Sequence, residues 1–376
     1  MGGVVISNPD ILSSFCVFKF CFFIFNFSGE TLMASLRFPA TALSPLAADI
    51  RRSCPATACR LVGPRRRWLR SGLSVRESRG PGLLPTVGRI RAETEEAIVR
   101  EPMVPPYNVL ITGSTKGIGY ALAKEFLKAG DNVVICSRSA ERVESALLNL
   151  RNEFGEQHVW GMVCDVRDGK DVNALVSFAC AKLKYIDLWI NNAGSNAYSY
   201  KPLAETSDED LIEVVTTNTL GLMICCREAI NMMQRQPRGG HIFNIDGAGS
   251  DGRPTPRFAA YGATKRSVVH LTKSLQAELQ MHEVISVMVH ILSPGMVTTD
   301  LLMSGANTKQ AKFFINILAE PPEVVAEYLV PCIRSVPMNG SMKPTYIRFL
   351  TGLKAYSQIF SRFAFGARRN RYLIED

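Results

Sequence analysis

The stretch NVLITGSTKGIGYALAKEFLKAG, residues 108–130, decides the fold. Its apolar start, NVLIT at 108–112, has the composition of a buried strand. An amphipathic helical pattern follows from Gly117 and is closed by Gly130. Between them stand Gly113, Gly117 and Gly119. Glycines at such a junction permit a tight turn and bring backbone N–H groups close to a pyrophosphate at a helix N-terminus. The spacing is G-x-x-x-G-x-G, a weak signal alone and a strong one between a strand and a helix.

Working outward, five more apolar runs are predicted as strands: NVVICS (132–137), VWGMVCDV (159–166), DLWINNAG (187–194), HIFNID (241–246) and ISVMVHILSPG (285–295). Helical patterns such as residues 140–153 separate them. Short buried strands joined by helices imply right-handed crossovers and a parallel sheet covered on both faces. The expected fold class is therefore α/β, a doubly wound parallel sheet of Rossmann type, as a single domain over residues 107–340. Residues 341–376 form a tail with Leu353, Tyr356, Phe360 and Phe363 at helical spacing and several Arg nearby. Such a stripe either lies on a membrane surface or a partner, or packs on its own domain or a second subunit.

The formal charge of +9 is unevenly spread. Residues 33–91 hold twelve Arg, no Lys and only Asp49 and Glu77 as acids, whereas residues 92–376 hold 30 bases and 30 acids. The basicity belongs to the leader, and nothing in the remainder points to nucleic acid. An acid-poor segment rich in Arg, Ser and Ala fits a chloroplast or mitochondrial transit peptide, the MASL start favouring the plastid, with an ordinary disordered basic tail as the alternative. A Pro-rich linker over 92–106 follows it. The run ILSSFCVFKFCFFIFNF within residues 1–32 is short for a spanning helix and carries Lys19. It is read as upstream of a start at Met33, with a membrane anchor as the alternative. The ten Cys show no paired spacing, so free thiols are expected, with no disulfides and no metal-ligand cluster.

The end of the second strand bears on the cofactor. An acid there would bind the adenosine ribose and repel a 2′-phosphate. This chain has Arg138 instead, with Lys116 in the Gly-rich turn, so NADPH is expected over NADH unless both are ordinary surface bases.

TGSTKGIG, CDV, NNAG, YGATK and SPGMVTTD occur in the order found in short-chain dehydrogenases/reductases, which the chain resembles over roughly residues 106–335. That resemblance implies Tyr261 as catalytic acid, Lys265 as its partner and Asn218 in a proton relay. It also implies a cofactor-binding set of Thr112, Gly113, Ser114, Lys116, Gly117, Ile118, Gly119, Arg138, Asp165, Val166, Asn192, Ala193, Gly194, Tyr261, Lys265, Pro294, Gly295, Val297 and Thr298, with Asn191 also near the cofactor. Tyr261 and Lys265 one turn apart share a helix face. A neighbouring cation would draw the tyrosine down from its ordinary value near 10.

One element departs from the family. NISS usually ends the fifth strand, and its second Ser polarises the carbonyl; here the tetrapeptide is NIDG, so Asp246 and Gly247 stand at those positions. Ser250 is the nearest hydroxyl and is expected to act in its place, unless it merely caps the turn and a water or backbone N–H donates. With DGAGSDG, the plastid-like leader and the tail, the chain resembles the plant chlorophyll(ide) b reductases, specifically their smaller, anchor-lacking type. This implies reduction of the ring formyl group of chlorophyll b or chlorophyllide b to hydroxymethyl. It also implies a chloroplast location at the thylakoid surface, beside a larger membrane-anchored relative and light-harvesting complexes. Two other readings stand: a plastid reductase of the same family acting on a keto-acyl or lipid carbonyl, and a non-catalytic dinucleotide-binding scaffold. Retention of Asn218, Tyr261 and Lys265 speaks against the scaffold.

Overall fold

The computed structural model describes residues 103–340 and 343–375. The readings for residues 1–91, and for most of the 92–106 linker, lie outside them. Seven strands form one sheet: β1 (Asn108–Ile111), β2 (Asn132–Ser137), β3 (Val159–Val163), β4 (Leu188–Asn191), β5 (Gly240–Ile245), β6 (Val287–Ser293) and β7 (Tyr346–Arg348). Their order is β3-β2-β1-β4-β5-β6-β7, with every neighbouring pair parallel. The chain winds outward from β1 to β3, then returns to start again at β4 on the other side of β1. That reversal opens a crevice beyond the carboxyl ends of β1 and β4.

Alternation along the strands builds two cores. Val109, Ile111, Val133, Ile135, Leu188, Ile190 and Phe243 face one side, where α1 (Gly117–Lys128) brings Leu122 and Phe126. Leu110, Val134, Trp189, Ile242 and Val289 face the other. There α3 (Gly169–Leu183) and α5 (Leu222–Arg235) follow α2 (Ala140–Phe154) and α4 (Asp208–Val215) and supply Leu175, Ala179, Cys226 and Met233. Both faces being covered, the strands are mostly apolar, with Asn191, His241, Asn244 and His290 as buried polar exceptions. Cys136, Cys164, Cys225 and Cys226 are buried and unpaired within this packing.

Several strands stop before the apolar runs do. β3 ends at Val163, β4 at Asn191 and β6 at Ser293, because CDV, NAG and PG leave the sheet to border the crevice. The larger difference is at the C-terminus. Residues 346–348 were expected in a separate tail, yet they pair with β6 through Ile291–Tyr346, Leu292–Ile347 and Ser293–Arg348. The sheet therefore runs past residue 340, and a three-residue strand is too short to announce itself by alternation.

A histidine chain ties this edge to the core. The Thr345 N–H donates to His290 Nδ1 at 3.1 Å, and His290 Nε2 lies 3.0 Å from His241 Nδ1. Accepting at Nδ1 leaves neutral His290 with its proton on Nε2, aimed at His241.

After α6 (Ala259–Met281) and the single turn α7 (Asp300–Met303) come α8 (Lys309–Leu318), α9 (Pro322–Met338) and α10 (Gly352–Phe365). α10 buries Ala355 and Ile359 against Ile317 and Leu318 of α8. Its other face leaves Leu353, Tyr356, Phe360 and Phe363 exposed. Beyond it, Arg368 and Arg371 grip the two oxygens of Glu320 at 2.7 and 2.8 Å. Glu320 in turn holds the loop after β6: its N–H donates to the Met296 carbonyl, and its carbonyl accepts from the Thr298 N–H, each at 3.0 Å.

Candidate active site

A cleft of about 1400 Å³ occupies the crevice. One end is bordered by the Gly-rich turn. The N-terminus of α1 has no side-chain cap and no acid in its first turn, so its leading N–H groups face the cleft unclaimed. Thr217, which borders the same space, has a buried hydroxyl without a protein partner. Uncapped amides and an orphaned hydroxyl fit the phosphates and polar groups of a dinucleotide.

Gly113, Lys116, Gly117, Ile118, Gly119, Arg138, Val166, Asn192, Ala193, Gly194, Pro294, Gly295, Val297 and Thr298 all border the cleft. Others of the expected set work from behind it. Thr112 Oγ1 accepts from the N–H groups of Asn192 and Ala193, both at 3.1 Å, and Ser114 Oγ links β1 to β2 by donating to the Ile111 carbonyl and accepting from the Cys136 N–H. Asp165 gives both carboxylate oxygens to Arg167. Asn191, expected near the cofactor, is inside the sheet: it accepts from Trp189 Nε1 and donates to Asn244 Oδ1, each at 2.8 Å. Asn192 is the residue that turns to the Gly loop, donating to the carbonyls of Thr112 and Gly113. The two cations are engaged: Lys116 with Asp300 at 2.7 Å and the Tyr198 hydroxyl at 3.0 Å, Arg138 with Glu213 at 3.2 Å. Arg142 and Ser137 border the cleft beside Arg138 and were not singled out in the sequence. Arg142 lies in an ordinary helical pattern that gives no cue.

At the cleft floor, α6 opens two residues before Tyr261 and carries Lys265 one turn further on. Lys265 is buried, its Nζ donating to the Ile245 carbonyl at 3.1 Å and lying 5.7 Å from the Tyr261 ring centroid. Asn218 sits in a π-turn spanning Thr216–Gly221 between α4 and α5, a distortion common at functional sites. It exchanges hydrogen bonds with the Ser195 backbone at 2.8 Å in both directions and donates to Thr264 Oγ1 at 3.1 Å. A Cβ built on Gly194 would stand 3.4 Å from Asn218 Oδ1 and 3.7 Å from Lys265 Nζ. The strand-4 loop, the π-turn and α6 therefore converge on one point.

Residues 107–310 match the short chain dehydrogenase pattern, more than half of the chain. The chain belongs to the short chain dehydrogenase family. It is 86% identical over 277 residues to chlorophyll(ide) b reductase NOL, chloroplastic, of Oryza sativa subsp. japonica, covering 74% of this chain and 81% of that protein. The corresponding protein of Arabidopsis thaliana is 80% identical over 277 residues, covering 74% of this chain and 79% of its own length. Among solved structures, the F189W actinorhodin polyketide ketoreductase with NADPH is 27% identical with a TM-score of 0.55, covering 65% of this chain and 96% of that one.

Burial raises the Tyr261 hydroxyl above the ordinary phenol value, and the charge of Asp246 adds to this. Burial also pushes Lys265 down to about 8, with Asp246 opposing the fall. A phenol that keeps its proton is a suitable donor to an alkoxide, a much stronger base than phenolate.

The site departs from the family at the missing serine. Gly247 stands where that side chain would project: a Cβ there would lie 2.7 Å from the Tyr261 hydroxyl. Ser250, the expected substitute, borders the cleft, and its Oγ donates to Asp246 Oδ2 at 3.2 Å. The loop carrying it is pressed onto α6, where a Cβ on Gly249 (φ +92°) would meet the Gly262 Cα at 2.7 Å. Above the floor, Phe258 lies 6.1 Å from the Tyr261 ring and 4.7 Å from that of Tyr200. Met296, Leu302, Phe314 and Leu318 complete an apolar wall.

Proposed function

We infer that this chain is an NADPH-dependent chlorophyll(ide) b reductase of the chloroplast, converting the ring formyl group to hydroxymethyl. The observation that carries the reading is the Gly247 gap over an otherwise complete Tyr261–Lys265–Asn218 constellation. It occurs in a chain 86% identical to a protein named for that reaction. When bound, the reduced nicotinamide supplies hydride. The Gly-rich turn and α1 hold the phosphates, with Arg138 and Arg142 on the ribose side. Lys265 orients the cofactor ribose, and Tyr261 donates its phenolic proton to the formyl oxygen as charge develops there. The apolar wall and the glycine-lined floor admit a wide, flat macrocycle that a side chain at 247 would obstruct.

The test is incubation of the protein with chlorophyllide b, with NADPH or NADH, followed by pigment chromatography. Conversion to the 7-hydroxymethyl product with NADPH supports the reading. Turnover of β-keto-acyl thioesters without any of the pigment would overturn it.

Attachment to the thylakoid surface is the finer part of the proposal. It is supported by the exposed row Leu353, Tyr356, Phe360 and Phe363 on α10, an apolar face of the kind that lies in a lipid interface. Among the described residues no helix is long and apolar enough to cross a membrane. Flotation with galactolipid vesicles should be lost in Leu353→Ser/Phe360→Ser while soluble activity is kept. A larger anchored relative and light-harvesting complexes are the expected neighbours there, as partner and as pigment source.

A further inference from the structure

Asp246 is a buried carboxyl, 4% exposed, that the reaction described above does not use. Its Oδ2 accepts from Ser250 Oγ and from the Tyr346 hydroxyl, and Ser293 adds a third side-chain hydrogen bond. Ser250 is itself fixed, its carbonyl accepting from Arg266 at 2.8 Å. Tyr346 comes from β7, beyond the 107–310 family match, and the Arg348 guanidinium sits 4.0 Å from its ring centroid. The charged and titratable groups facing Asp246 are Lys265 and Tyr261 from α6, and Tyr346 from β7 with Arg348 behind it.

We propose that Asp246, held by Tyr346, is a positioning residue that supplies the counter-charge for Lys265 and so fixes the pH range in which the Tyr261–Lys265 pair works. The inference rests on the reductase reading of that pair and not on the identity of the substrate. A buried ammonium without an opposite charge gives up its proton. Lys265 Nζ donates to the neutral carbonyl of Ile245, and a Cβ at Gly247 would stand 3.2 Å from Lys265 Cγ, so Asp246, the residue between Ile245 and Gly247, lies alongside the lysine. Its own burial favours the protonated form, and the hydrogen bonds from Tyr346, Ser293 and Ser250, together with Lys265, draw it back toward the carboxylate. The sheet-edge tyrosine therefore acts on the catalytic pair through Asp246.

The experiment uses the full-length protein, the variants Asp246→Asn, Tyr346→Phe and the double variant, and two measurements. The first is the titration of the Lys265 ammonium by ¹⁵N NMR without cofactor, its signal assigned by loss in Lys265→Arg. The second is the pH profile of kcat/KM with NADPH and chlorophyllide b. Asp246→Asn should lower the Lys265 midpoint by about one unit or more, the usual effect of removing an adjacent opposite charge. The alkaline limb of the profile should move down by the same amount. Tyr346→Phe should shift both in that direction by less, and the double variant should match Asp246→Asn alone. An unchanged Lys265 midpoint in Asp246→Asn, or additive shifts in the double variant, would overturn the proposal. Should Asp246→Asn fail to fold, an unshifted midpoint in Tyr346→Phe decides against it equally. A shifted midpoint in a protein inactive on the pigment would leave this inference standing and remove the substrate assignment.

Discussion

Gly247 and the Tyr261 hydroxyl share one small volume: a Cβ at 247 would stand 2.7 Å from that oxygen and 3.2 Å from Lys265 Cγ. Restoring the family serine is therefore not a repair here. Gly247→Ser should displace Tyr261 and lower kcat on chlorophyllide b and on a small aromatic aldehyde alike, with NADPH affinity little changed. Steady-state kinetics on both substrates check this. A variant that loses only the pigment would mean that Tyr261 yields and that clearance for the macrocycle is the sole function of the glycine.

Tyr261→Phe removes the proton donor and leaves the Gly-rich turn untouched. Turnover should fall by about 10²-fold or more, the scale of a lost general acid. NADPH binding, followed by quenching of protein fluorescence, should persist. Turnover within a few-fold of the parent would refute the assignment of the acid.

Arg138 is shared with Glu213 across a 3.2 Å contact at the surface. Arg138→Asp should weaken NADPH much more than NADH, because it removes a phosphate partner and adds repulsion. Glu213→Gln should tighten NADPH by no more than about fivefold, since exposed pairs are worth at most ~1 kcal/mol. Parallel titrations with both cofactors separate these effects, and equal losses in Arg138→Asp would count against a phosphate role.

The buried pair His241 and His290 makes stability fall in acid. Burial lowers His241 from 6.5 to about 4 and His290 from 6.5 to about 3, the latter helped by its neighbour. Below pH 6.5 the unfolded chain binds protons that the native pair refuses, so stabilisation present above that pH is lost as the pH drops toward 4. Tm should fall by on the order of 5–10 °C between pH 7 and 4.5, a few kcal/mol spread over a domain of this size. His241→Leu should melt lower at pH 7 yet show a shallower pH slope. An equal slope in that variant would assign the acid sensitivity to carboxylates elsewhere.

The strands β1 to β6 were legible because each is a short run of apolar residues flanked by turn chemistry, and the Gly-rich turn announces its own role. Tyr261, Lys265 and Asn218 were named through the resemblance to the family, and the fold gathers the elements that carry them around one point. What escaped was what the tertiary fold decides. Adjacent asparagines cannot be told apart by composition, yet Asn191 faces the sheet interior and Asn192 the cleft. The direction in which Tyr261 is shifted depends on burial, which no YxxxK pattern records. The tie from Tyr346 to Asp246 crosses one hundred residues of chain.

The grip of Arg368 and Arg371 on Glu320 also sets an order of events in time. Domains fold from their N-terminal side as the chain emerges, so β1 to β6 and the Tyr261–Lys265 pair can assemble early. The loop of Met296 and Thr298 is anchored through Glu320, and the arginines holding that acid lie 48 and 51 residues further along the chain. The active site is therefore finished only after the segment carrying Arg368 and Arg371 has been made, well after the strands that carry its floor.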